Sequence, residues 1–287
     1  MKKPFYYIFI AGVLLFSCGA KETLTLGSLN TPYALTVSEI YAGVLEKAGY
    51  KVIRSYGFDG IETLHAAILN GGVDIGTEWT GEALTKVLGA PRSGDQYGTY
   101  DALSARYVKL GLVLLEPLPA DNHWTLAVLQ ENPNSAGIKT FSDVKNRAPE
   151  LVIAVTSGFN DDREAFPLLE EVYGTFGFKE IELVPEEEQY ALLRSRAVDV
   201  IALRANDGHF ADAGYRALRD NFHAFIPQNL VPVVKDEFLS SHAGIRQALN
   251  AVSASLNDKV MIDLNNRTAV KKEPYRETAK SYLETRR

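Results

Sequence analysis

Short apolar runs alternate with amphipathic segments along almost the whole chain, and that alternation restricts it to strands connected by helices. Leu24 to Ser28 reads as a first strand. Val37, Ile40, Tyr41, Val44, Leu45 and Ala48 then fall at helical spacing, on one face of a helix that Gly49 ends. Lys51 to Tyr56 is the next strand. A second helix carries Ile61, Leu64, Ala67 and Ile68 and stops at Asn70, Gly71 and Gly72, and Val73 to Trp79 follows as a strand. Strand and helix in regular succession predict an α/β chain with a mostly parallel sheet.

The second half repeats the order. Leu151 to Thr156 reads as a strand, Glu186, Glu187 and Glu188 open a helix at its positive dipole end, and Arg194 and Arg196 close it. Val198, Asp199 and Val200 then stand where Val73, Asp74 and Ile75 stood. With 287 residues and roughly 150 per domain, two like-built lobes are expected. Two further strands, Trp124 to Leu129 and Leu230 to Val234, read as the crossings between them. The expected division is one discontinuous lobe of residues 18–124 and 229–287 and a second of 125–228, a two-lobe α/β fold with two crossing hinge strands. Helices near His242 to Leu256, Asp258 to Thr268 and Pro274 to Glu284 complete the first lobe. Two lobes on such a hinge enclose a cleft, where small ligands bind most often.

The amino terminus sets the expected compartment. Met1, Lys2 and Lys3 precede a run from Phe5 to Phe16 that is apolar apart from Gly12. The run is too short for the about 20 residues that span a bilayer, but it fits the core of a secretory signal peptide, here residues 1–17. Leu15, Phe16, Ser17 and Cys18 resemble a bacterial lipoprotein box, with Phe16 in place of the usual small residue. Cys18 is the single cysteine, so no internal disulfide forms. Lipidation of Cys18 would hold the mature chain at the membrane outside the cytoplasm, since two acyl chains anchor stably; a plain signal peptide with an incidental cysteine is the alternative. Thirty Lys+Arg against 36 Asp+Glu leave a formal charge of −6 without a basic stripe, which argues against nucleic acid as a partner.

Ligands of open α/β sheets sit beyond the carboxyl ends of the strands. That rule selects the stretch Ser28 to Tyr33, with Ser28, Asn30 and Tyr33 as candidates, then Glu78, Trp79 and Thr80, and in the second half the stretches Thr156 to Arg163 and Arg204 to Asp207. Trp79 and Trp124, the two tryptophans, fall at strand ends bordering the cleft, as packing residues or as ligand walls. An aromatic face attracts a quaternary ammonium by about 0.5 to 2 kcal/mol per ring. Tyr33 and Tyr190 offer further rings, although Tyr190, inside a helix, also suits a core. Arg163 and Arg204 can grip a carboxylate by a bidentate fork, with a solvated surface charge the plainer reading of Arg163. Among His65, His123, His209, His223 and His242 there is no HExxH and no paired Cys/His spacing, and the chain lacks GxSxG, P-loop and GxGxxG sequences. No metal, cofactor or catalytic residue is therefore expected. Asp161, Asp162 and Glu164 read as caps of a helix start.

At these positions the chain resembles the glycine betaine, choline and carnitine type of osmoprotectant substrate-binding proteins that serve ABC importers. Gly27, Ser28 and Asn30 look like the family's opening Gly-Ser-Lys-Asn, and Gly49 to Val52 matches its Gly-Tyr-Lys-Val. Val73 to Gly81 is similar to its Asp-hydrophobic-Tyr-Pro-Glu-Tyr-Thr-Gly segment, Asn122 to Ala127 to Asn-Thr-Tyr-Ala-Leu-Ala, and Asp207 and Gly208 to the end of Ser-Thr-Asp-Gly. The likeness covers nearly all of the mature chain. Leu29 replaces the family's lysine, Phe225, Ile226, Pro227, Gln228 and Asn229 replace Phe-Pro-Pro-Tyr-Tyr, and Asp162 stands where an arginine is usual. The resemblance implies an α/β two-lobe periplasmic-binding-protein fold of type II and, with the lipoprotein box, a monomeric, lipid-anchored protein that captures a quaternary-ammonium or zwitterionic solute and delivers it to a membrane permease. The expected ligand site, from the strand ends and these matches together, comprises Ser28, Asn30, Tyr33, Glu78, Trp79, Thr80, Trp124, Arg163, Arg204 and Asp207. Two rivals remain: an extracytoplasmic enzyme on the same scaffold, using Glu78 with Asp207 or His123, and the binding module of a sensor.

Overall fold

The computed structural model describes residues 22–92 and 95–286. The expected signal peptide and Cys18 lie outside these described residues. The strands are β1 Thr23–Leu29, β2 Lys51–Phe58, β3 Ile75–Trp79, β4 Leu112–Leu114, β5 Trp124–Leu129, β6 Val152–Val155, β7 Glu180–Leu183, β8 Val200–Arg204, β9 Tyr215–Ala217 and β10 Leu230–Lys235. They form two five-stranded sheets, ordered β2-β1-β3-β10-β4 and β7-β6-β8-β5-β9.

Neither sheet is the mostly parallel one that the alternation predicts. β1 runs parallel to β2 and β3, and β6 to β7 and β8, but β10 is antiparallel to β3 and β4, and β5 to β8 and β9. The reason is the route of the chain. A strand that follows a helical crossover returns parallel, whereas β5 and β10 arrive from the opposite half and enter their sheets in reverse.

Local chemistry sets the elements. Thr31 Oγ1 accepts the Ala34 amide and Pro32 occupies the first turn, so the helix Pro32–Lys47 starts there and buries Val37, Ile40, Tyr41 and Leu45. The helix Ile61–Leu69 lies directly on the sheet, because Gly76 has no side chain: a Cβ there would stand 2.3 Å from Ile68 Cδ1. Asp74 and Asp199 do the same work in the two halves. Asp74 Oδ2 accepts the Thr25 amide at 2.7 Å, and Asp199 Oδ2 accepts the Val152 amide at 3.1 Å. Each thereby ties the turn before a central strand to the start of the strand beside it.

The buried apolar residues fall into separate sets. One runs from Leu24 to Ala120 and resumes from Leu230 to Tyr282; the others lie wholly between Leu126 and Phe225. The chain passes between them twice, and the two crossings are bonded side by side. Asp121 and Asn229 form an antiparallel bridge, the Asn122 amide donates to Gln228 O at 3.0 Å, and the Gln228 amide donates to Asp121 Oδ1 at 2.8 Å. A third contact comes from the carboxyl-terminal helices. Ala243–Ser253 and Tyr275–Glu284 pack on Pro32–Lys47, while Asp258–Asn265 reaches the other half, where Asn206 Nδ2 donates to Asp258 Oδ1 at 3.0 Å and Asn265 Nδ2 to Asn206 O at 2.7 Å. No helix among the described residues is long and apolar enough to cross a membrane.

Candidate functional site

A cavity of about 300 Å³ opens where the two halves meet. The first half supplies Thr31, Pro32, Tyr33, Trp79 and Glu82; the second supplies Thr156, Glu186, Gln189, Arg204, Asn206 and Asp207; Asn122, Trp124 and Gln228 come from the crossings. A larger hollow of about 630 Å³ draws its lining from the first half alone, around the outer face of Pro32–Lys47. Only the former can sense both halves at once.

Trp79 ends β3, so its indole projects from the carboxyl edge of the first sheet. Tyr33, in the first turn of Pro32–Lys47, meets it edge-on with ring centroids 4.9 Å apart. The Tyr33 hydroxyl is buried without a hydrogen-bond partner. Its pKa is raised well above the ordinary phenol value by burial first, then by the negative charges of Asp258 and Asp121 and by Tyr41, so it stays a neutral donor.

Trp124 and Arg204 face each other as register partners of β5 and β8, and the guanidinium carbon lies 3.8 Å from the indole centroid. Phe159 closes the edge of the indole at 5.1 Å. Among the described residues Arg204 forms no ion pair, and its guanidinium reaches Asn122 O only by a long hydrogen bond of 3.5 Å. Burial lowers its pKa against the pull of Glu82, Asp162 and Glu186, but guanidinium titrates so high that the side chain remains a cation.

Carboxylates complete the lining. Asp207 caps the turn Gly208–Ala211; it accepts Tyr190 Oη at 2.6 Å and the His209 amide at 2.7 Å, and the Tyr190 and His209 rings stack at 3.5 Å. Glu186 titrates above the usual carboxylate range, through loss of water first and the Asp207 charge second. Glu82 meets Lys86 Nζ at 3.3 Å, and Lys86 also reaches Asp162 of the other half at 3.2 Å.

Of the ten residues selected from sequence, the structure brings Tyr33, Trp79, Trp124, Arg204 and Asp207 to the cavity wall. The other five lie elsewhere. Glu78 precedes Trp79 on a strand and so points to the opposite face. There it is fully buried, accepts Tyr107 Oη and lies 3.1 Å from His65 Nδ1, inside the first core and apart from Asp207 and His123. Ser28 is buried, its hydroxyl turned to Leu29 O. Thr80 faces the crossing, where its hydroxyl accepts the Asn229 amide at 3.2 Å. Asn30 and Arg163 are exposed and absent from the lining, which for Arg163 is the surface-charge reading. Tyr190 packs behind Asp207 and does not line the cavity. Sequence reasoning did not single out Glu82, Gln189, Asn206 and Asn265 as wall residues. Asn206 lay within the Arg204 to Asp207 stretch; Asn265 carried no signal, because only the fold of the carboxyl-terminal helices delivers it. No group of three or more His, Cys, Asp or Glu able to hold a metal occurs among the described residues.

Comparison with known proteins adds a family. The family described as the substrate binding domain of ABC-type glycine betaine transport system matches residues 22–285. A glycine-betaine-binding protein of Pseudomonas aeruginosa is 25% identical over 95% of this chain and 91% of its own length. An ergothioneine transport permease/ergothioneine binding protein of Helicobacter pylori is 24% identical over 86% of this chain, which spans 45% of that larger protein. A crystal structure of a glycine betaine/carnitine/choline ABC transporter protein superposes with a TM-score of 0.85 at 19% identity, over 93% of this chain and 98% of the other, which establishes the shared fold.

Proposed function

The chain belongs to the family of substrate-binding domains of ABC-type glycine betaine transport systems, and on that premise we propose that it captures a quaternary-ammonium or related zwitterionic solute between its halves and presents it to a membrane permease. Residues 18–124 with 229–287 act as one lobe and 125–228 as the other. The protein works outside the cytoplasm, held to the membrane by lipid on Cys18, and as a monomer.

One observation carries the reading. The paired rings of Trp79 and Tyr33 line a cavity to which both halves contribute, in the company of the carboxylates of Glu82, Glu186 and Asp207. A ring face beside negative charge suits a methylated ammonium, which cannot donate hydrogen bonds. Contact with both lobes is also what lets a solute favour the closed state, since a ligand touching one lobe equally in both states shifts nothing. Named relatives are binding proteins, and no bond-making step is assigned to this site.

The test is thermal unfolding of the mature chain with glycine betaine, carnitine and choline. A solute at 100 times its dissociation constant adds about 2.7 kcal/mol and raises Tm. No rise with any methylated ammonium would sink the proposal, and mass spectrometry showing the solute altered after incubation would favour an enzyme. Radiolabelled lipid incorporated by wild type but not by Cys18→Ala tests the anchor.

A further inference from the structure

The two ends of the first sheet differ. Trp79 closes the end at the cavity. At the other end β1, β2, β3 and β4 begin and the antiparallel β10 finishes, so Glu22, Lys51, Asp74, Gly111 and Lys235 share one edge. The turn Val108–Leu110, which leads into β4, exposes Val108 at 66% and Leu110 at 45% on either side of Lys109. Leu69, 38% exposed, ends the helix that leads into β3. Lys47 and Lys51 flank the turn into β2, and neither they nor Lys109 enter an ion pair among the described residues. Asp236 and Glu237 follow β10 on the same edge. In a chain of formal charge −6, the edge is therefore a local exception, apolar with lysines interspersed.

Resting on the lipid-anchored reading above, we propose that this edge is the face on which the protein lies against the bilayer, with Val108, Leu110 and Leu69 among the headgroups and the lysines at the lipid phosphates. The anchor leaves from the same edge. The Lys51 amide donates to Glu22 O at 2.8 Å, and Glu22 Oε1 lies 2.8 Å from His242 Nε2, so the start of β1 is tied down. Cys18 stands four residues earlier, and four residues of any conformation reach at most about 14 Å. β4 lies three strand spacings from β1, which is again about 14 Å. A lipid on Cys18 thus brings the whole edge to the headgroups, whatever other partner is present. The chemistry there suits them, since an interface takes up apolar side chains while lysine ammonium groups stay with the phosphates. Three side chains make a shallow contact, one that can be released when the solute is delivered. With this edge down, the cavity at the opposite end of the sheet opens toward the solution.

The experiment places the lipidated mature chain on phosphatidylcholine vesicles with and without phosphatidylglycerol. Val108→Cys, Leu110→Cys and, as a control in the other half, Phe222→Cys each carry an environment-sensitive dye; all three positions are exposed, and lipidation consumes the Cys18 thiol. The dyes at 108 and 110 should shift to the blue on vesicles and be quenched by brominated lipid, while the dye at 222 stays as in solution. Adding Lys109→Glu to the Leu110→Cys chain should lower the ratio of docked to free edge about fivefold on vesicles with phosphatidylglycerol, the scale of one lysine at an anionic surface. Vesicles that carry the protein, as flotation shows, without a shift or quenching at 108 and 110 overturn the resting face and leave the anchor standing. A shift seen on native membrane vesicles and absent from pure lipid assigns the edge to a membrane protein and overturns it as well. A wild-type chain that does not float with vesicles overturns anchor and face together.

Discussion

Arg204 lies across Trp124, its guanidinium carbon 3.8 Å from the indole centroid, and the two are direct partners in the β5–β8 pair. An arrangement drawn from two neighbouring strands of one sheet is rigid, so the positive charge is placed before any solute enters. The consequence is an asymmetric cavity, with a bare aromatic corner on one half and a cation on the other.

Trp79→Leu should weaken solute binding by about tenfold or more, since it removes a cation-attracting ring from the corner with Tyr33. Trp79→Phe should recover part of the loss. Isothermal titration measures both, and equal affinity for wild type and the leucine variant would contradict the role given to the indole.

Gly208 sits where the second half meets the end of the helix Asp258–Asn265. A Cβ on it would lie 2.5 Å from Asn266 N and 2.6 Å from Asn265 C, both backbone atoms that cannot step aside. Gly208→Ala should therefore wedge the halves apart, lower solute affinity and leave the solute-bound protein larger in small-angle scattering than wild type. An unchanged radius of gyration would show that the contact yields without cost.

Tyr107→Phe deletes the hydroxyl that donates to the buried carboxylate of Glu78. The carboxylate keeps only His65 beside it, and loss of one donor to a buried acceptor costs about 1 to 3 kcal/mol. Urea unfolding should show that loss while solute affinity stays near wild type, because the cluster lies off the cavity wall.

His123 stands in the first crossing with Nδ1 at 3.2 Å from Asp121 Oδ2. Burial works against its charge, but the contact with Asp121 and the further charges of Asp220 and Asp258 outweigh it, and its pKa is raised. A raised folded-state pKa means that protonation stabilises the fold. This contribution is complete below the unfolded value, about 6.5, and fades as pH rises through the higher folded value. His123→Gln should accordingly lose more stability at pH near 5.5 than near 8.5, a difference that denaturant titrations at the two pH values would detect. Equal losses at both would show that the imidazolium contributes nothing to the hinge.

Much of the architecture was legible in the residues. The strand expected at Trp124 to Leu129 is found at those bounds, and the helices starting near Ile61 and Glu186 appear where apolar spacing and acidic first turns put them. The recurrence of Val73, Asp74 and Ile75 as Val198, Asp199 and Val200 marked an internal likeness, and both aspartates hold the amide of a neighbouring strand. Half of the chosen site residues missed the cavity, and the misses have one cause. Proximity along the chain to a strand end says nothing of direction: Glu78 and Trp79 are adjacent, yet one is sealed in a core with His65 and Tyr107 and the other borders the cleft.

The sequence by itself determined the local order of strands and helices, the apolar faces that build the cores, and the residue types available for a cation. These follow from periodicity and side-chain chemistry, which act over a few residues. Tertiary structure alone decided the reversed strands of each sheet, the delivery of Asn265 to the cavity, and the covering of Trp124 by Arg204. Those depend on contacts between segments that lie far apart in the chain, where the path between the halves, and not the composition of either segment, sets which side chains meet.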